Sequence, residues 1–181
     1  DVLAREFFET HFALKRLGNG RGHLTGYYEP EIAASRVRTN EYPCPIYARP
    51  RDVVAQTLTR EAIIRDGALD GLGLEIAWLR DPVDAFFLQV QGSGRLIFAD
   101  GQSLRVGFSA KNGHPYVSIG AELVRKNVFA ADEVFADKVK AWLRINGTDL
   151  LLLNPSFVFF KVLDLPQDSG PIGAMDWPVT A

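Results

Sequence analysis

One cysteine, Cys44, excludes any internal disulfide. Pro43 and Pro45 flank it, and no neighbour in sequence lowers its pKa, so it reads as a small buried hydrophobe rather than a nucleophile. Histidine is nearly as scarce. His11, His23 and His114 show no ligand spacing, so no metal site and no cofactor are expected. No apolar run reaches the roughly 20 residues that cross a bilayer. The charged, amphipathic opening DVLAREFFETHF lacks the pattern of a signal peptide. Positive charge is not in excess either. Lys and Arg number 20 against 22 Asp and Glu, which argues against a nucleic-acid partner. What is present is an ordinary globular composition, with enough chain for one domain or for one domain inserted into another.

The pattern along the chain predicts a helix over 1–17 and a strand over 23–28 that Pro30 ends. Residues 31–40 read as a hairpin arm or loop, and 42–48 as extended because Pro43 and Pro45 exclude a helix. Thr59 caps a short helix with Glu61 in its first turn and Gly67 near its end. A strand is expected over 71–79. A hairpin of 95–98 and 103–109 turns at Asp100-Gly101, with Leu104, Val106 and Phe108 on one face. Helices follow over 118–126 and 132–145, the second with a core stripe of Phe135, Val139, Trp142 and Leu143. A strand over 157–162 comes last. This is mainly β with peripheral helices, a barrel or a strongly bent sheet rather than a doubly wound fold.

The stretch 86–94, FFLQVQGSG, begins in the expected central strand, 85–91. Alternation places Phe86, Leu88 and Val90 on a buried face and Gln89 and Gln91 on a polar one. It opens onto Gly92-Ser93-Gly94, where a ligand can approach the backbone. Three further stretches share its mixture of amide, hydroxyl or aromatic residues with Gly or Pro: Thr25 to Pro30, Asn112 to Tyr116, and Asn154 to Phe157. Rings that cover sugar C–H faces, and amides that pair with hydroxyl groups, bind glycans in this way. The plainer reading of each stretch alone is turn chemistry.

The same stretches carry a resemblance. LTGYYEP at 24–30, Pro45-Ile46-Tyr47, QGSG at 91–94, KNGHPY at 111–116, Ser118-Ile119-Gly120 and NPSFVFFK at 154–161 resemble, in order, the membrane-bound lytic murein transglycosylase A (MltA) family. The resemblance implies part of a double-psi β-barrel with a β-rich inserted domain. Residues 1–30 and 154–181 would belong to the barrel and 31–153 to the insert. It implies peptidoglycan glycan strands as partner, a periplasmic setting at the outer membrane, and a lipid anchor outside this chain; Cys44 is internal and no acylation site.

The implied reaction cleaves the β-1,4 bond between N-acetylmuramic acid and N-acetylglucosamine without water, leaving a 1,6-anhydromuramic end. A single carboxylic acid acts as acid and then base, unlike the usual pair of glycosidase carboxylates. No residue here matches the family's catalytic aspartate, which is expected beyond residue 181. Within the chain, Glu29 and Asp84 are the only substitutes to weigh. The expected substrate-binding residues are Thr25, Tyr27, Tyr28, Gln89, Gln91, Gly92, Ser93, Asn112, His114, Tyr116, Asn154 and Ser156. Gln91 and Asn112 are expected to serve binding with little part in stability. The alternatives are a module that binds glycan without cutting it and a structural interaction protein with no glycan affinity.

Overall fold

A computed structural model describes residues 29–165 together with Glu6, Thr10 and His11. Most of the helix expected over 1–17, the strand over 23–28 and the tail after 165 lie outside the described residues. The three described residues near the start are helical, and the Thr10 hydroxyl donates to the Glu6 carbonyl.

Among the described residues, six strands form one strongly bent sheet: β1 Glu31–Ser35, β2 Cys44–Tyr47, β3 Glu75–Leu79, β4 Ser93–Ile97, β5 Ser103–Lys111 and β6 Val158–Leu163. Their order is β2-β3-β1-β4-β5-β6, and only β1 and β4 run parallel. A parallel pair needs a long crossover, and here β2, β3 and two helices supply it. The sheet does not close. Its two edges touch at a single bridge between Ala48 and Phe160.

Among residues 29–165, four α-helices surround the sheet: α1 Arg60–Ile64, α2 Pro82–Gln91, α3 Ile119–Arg125 and α4 Ala136–Asn146. The core falls into three clusters. Ile46, Leu79, Leu96, Val106 and Phe160 fill the concave side of the sheet, with Ala85 and Leu88 of α2 among them. Val83 and Phe86 of the same helix pack against α3 and α4 through Ile119, Leu123, Val139 and Leu143. Tyr47, Phe157 and Phe159 meet Ile63 of α1 on the third side. Each such side chain contributes about 1.5–3 kcal/mol on full burial.

The largest correction concerns 85–91, which is helix and not strand. Asp81 accepts from the Val83 N–H as N-cap, Pro82 occupies the first turn, and Asp84 follows at the positive end of the helix. Gly92 ends it at φ 81°, its N–H returning to the Leu88 carbonyl. These end signals outweigh the local alternation. Because α2 is buried on two sides, its apolar residues show no single stripe from which a helix could be read.

Smaller differences follow from packing. The stretch at 31–40 begins with β1, whose Ala34 is in the core. The last helix starts at Ala136 after a separate 3-10 turn, Ala131–Glu133, so Phe135 precedes it and stays exposed. Phe108 is also exposed, beside a register shift between Phe108 and Ala110. The hairpin turn at Gly101, the Thr59 cap, the helix expected over 118–126 and the final strand stand where the pattern placed them.

Candidate functional site

The candidate residues divide into a buried group and a surface group. The buried group converges on Arg60, the first residue of α1, which is 5% exposed. Its Nε donates to the Asn154 carbonyl at 3.0 Å. Its Nη2 donates to the Ser156 carbonyl at 2.6 Å and to Gln89 Oε1 at 2.8 Å. The guanidinium lies 4.6 Å from the Phe86 ring centre and 5.2 Å from that of Phe157. Burial pulls the Arg60 pKa down to about 10, so it remains a cation near neutrality.

Asn112 holds the same segment from the other side. Its Nδ2 donates to the carbonyls of Leu58 and Pro155, both at 2.8 Å, and its Oδ1 accepts from the Phe157 N–H at 2.8 Å. Asn154 Oδ1 accepts from the N–H groups of Val117 and Ser156. Gln89, Asn112, Asn154 and Ser156 are thus brought together, but below the surface, with most of their polar atoms committed to the protein. The loop position expected for Asn112, open to a ligand and idle in the fold, is not what the structure shows.

The surface group lies where α2 turns into β4. Gln91 is exposed and lines a cleft of about 250 Å³ with Pro30, Asp84, Phe87 and Lys140. Gly92 follows at the turn. Gly94 is tightly constrained: a Cβ there would lie 2.5 Å from Leu88 Cδ1 and 3.2 Å from the Pro30 carbonyl. Ser93, the first residue of β4, is buried and pairs with Gly107. Two strand positions on, Arg95 stands opposite Arg105. Two like charges directly across a ladder repel, and Glu29 lies between them. Its carboxylate accepts from Arg105 Nε at 3.2 Å and Nη2 at 2.7 Å, with Arg95 Nη2 at 3.9 Å.

That arrangement decides against Glu29 as a proton donor, because both of its oxygens serve as acceptors. Asp84 is likewise engaged, accepting from Arg144 Nη2 at 2.6 Å, while Asp81 takes the Arg144 Nε. His114 contacts the Thr57 carbonyl at 2.8 Å through Nε2, and Tyr116 is half exposed. Thr25, Tyr27 and Tyr28 lie outside the described residues. Sequence reasoning missed Arg60 and Arg105 altogether. A lone Arg at a helix start, or on the outer side of an alternating strand, looks like any solvated cation.

The family model of the MltA specific insert domain matches residues 23–161. The chain belongs to the MltA family. Among curated MltA relatives, membrane-bound lytic murein transglycosylase A of Vibrio cholerae is 33% identical over 162 residues, which cover 86% of this chain and 42% of that protein. The Escherichia coli K12 protein of the same name is 35% identical over 158 residues, covering 84% of this chain and 41% of the relative. The chain therefore spans about two fifths of these relatives. Among solved MltA-type structures, the lytic transglycosylase LtgG of Burkholderia pseudomallei superposes with a TM-score of 0.72 at 41% identity, over 99% of this chain and 56% of its own. E. coli MltA with bound chitohexaose superposes with a TM-score of 0.74 at 32% identity, over 86% of this chain and 46% of its own.

Proposed function

We propose that the protein bearing this chain is a peptidoglycan lytic transglycosylase, and that the corner formed by Gln91, Gly92 and Ser93 is part of its glycan groove. The observation that carries this reading is the match of the family-specific insert through residues 23–161, which includes every stretch of that corner. Glu29, clamped by Arg105, fixes the chain one residue after Tyr28. Thr25, Tyr27, Tyr28, His114 and Tyr116 are proposed as further sugar-binding residues. Gln89, Asn112, Asn154 and Ser156 support the groove from beneath rather than meeting sugar with their bonded atoms.

The reaction proposed is cleavage of the β-1,4 bond between N-acetylmuramic acid and N-acetylglucosamine, giving a 1,6-anhydro end. One aspartic acid, in sequence beyond residue 181, protonates the leaving oxygen and then assists attack by the 6-hydroxyl. The ion-paired state of Glu29, Asp81 and Asp84 supports an acid supplied from elsewhere. It also favours a second reading, in which the described residues hold glycan and do not cut it.

Residues 31–153 are proposed as an insert in a double-psi barrel. Residues 1–30 and 154–181 are then proposed to belong to the barrel. Attachment at the outer membrane, facing the periplasm, is part of this proposal; the relatives are named membrane-bound. Gln91→Ala tests the groove. Loss of one sugar hydrogen bond should weaken chitohexaose binding by about 0.5–1.5 kcal/mol in calorimetry, with the melting temperature unchanged. Equal affinity in parent and variant removes the corner from the site.

A further inference from the structure

A cavity of about 430 Å³ lies between α1, α2, β2, β3 and the 3-10 turn Asp149–Leu153. Nothing in the glycan reading uses it. Its volume is that of a small-molecule site. Trp78, Phe86, Ile63 and Leu151 give it an apolar wall, and Arg60 and Gln89 give it polar groups. The wall has a mismatch in charge. Arg60 is 5% exposed, yet every acceptor bonded to its side chain is a neutral carbonyl oxygen. Its Nη1 makes no hydrogen bond to a described residue, and no carboxylate lies within ion-pair distance of it among the described residues.

A buried cation is costly without a counter-charge. Asp70, Glu75 and Asp149 also line the cavity, and none of them is ion-paired to Arg60: Asp70 accepts from the Tyr47 hydroxyl at 3.0 Å and Asp149 lies 3.7 Å from Arg65. We propose that this cavity takes a small ligand with a carboxylate and an apolar body, and that Arg60 is the counter-ion of that carboxylate. The peptide stem of murein offers such a carboxylate, and that source rests on the transglycosylase reading above. A free organic acid offers the same chemistry.

Binding to the full-length protein is measured by calorimetry with four probes: the free-acid stem tetrapeptide, its C-terminal amide, 3-phenylpropionate and chitohexaose. A bound acid loses at least about tenfold in affinity when made an amide or when Arg60 becomes Lys, because a buried charge pair is broken or misaligned. Arg60 also braces the fold, so Ile64→Trp serves as a second variant. Ile64 is half exposed at the cavity, and the larger ring blocks it without touching the Arg60 bonds. That variant loses the acids and keeps chitohexaose. Phenylpropionate bound without the peptide assigns the cavity to a free acid and leaves the proposal standing. Acids bound without chitohexaose leave the cavity standing and count against the glycan groove. Acid and amide bound alike, or neither acid bound at millimolar concentration, overturns the proposal.

Discussion

Asn112 shows how a polar residue legible as a binding amide can be scaffolding. Removing its carboxamide leaves the Leu58 carbonyl and the Phe157 N–H without this partner, while the Pro155 carbonyl keeps the Arg60 N–H, around a segment that also anchors Arg60. At about 1–3 kcal/mol for each stranded group, Asn112→Ala should cost about 2 kcal/mol or more in urea unfolding. A loss below about 0.5 kcal/mol would restore the surface role. Sequence identified Gln89, Asn112 and Asn154 as related residues, and they are neighbours. It could not show that they face inward, because depth depends on Arg60, which is up to 96 positions away from its partners. Cys44 gives a pH test at the same scale. Burial, and secondarily the charge of Asp81, pushes its thiol up from 9.0 to about 11. The folded protein holds this proton longer than the unfolded chain. The stabilisation is therefore complete below pH 9 and is lost as the pH rises through about 11. Cys44→Ala should show a shallower fall in melting temperature between those limits; an unchanged slope contradicts it.

At the scale of the element, α2 links every part of the fold. It contributes to two core clusters, closes the concave side of the sheet, lends Gln89 to Arg60 and delivers Gln91 to the surface corner. Its mistaken reading as a strand has a physical source. Phe86, Leu88 and Val90 alternate with Gln89 and Gln91 by accident, while the informative residues stand at the ends, Asp81-Pro82 and Gly92. Where the environment was one-sided, as for the β4–β5 hairpin, pattern and structure agree. The left-handed turn at Gly92 makes a prediction. A Cβ there meets only Phe108 Cβ, at an ordinary 3.9 Å, so the φ of 81° alone opposes a side chain. Gly92→Ala should destabilise by about 1–2 kcal/mol in denaturant titration, with chitohexaose affinity falling as the corner shifts. No loss of stability would mean the turn adopts another conformation.

For the whole molecule, the bent sheet does two things. Its concave side holds the core under α2, and its outer side sets Arg95 and Arg105 around Glu29, ahead of which the LTGYY stretch runs. The fold class was legible because strand ends and caps are local. The path of the sheet was not, since the parallel pairing of β1 with β4 joins residues more than sixty positions apart. The central proposal is that the full-length protein breaks murein strands without water. Digestion of purified sacculi in water enriched in heavy oxygen, followed by mass spectrometry of the released muropeptides, tests it most directly. The account predicts 1,6-anhydro ends that carry no heavy oxygen. Reducing ends that carry it, or no released muropeptides at all, would contradict it.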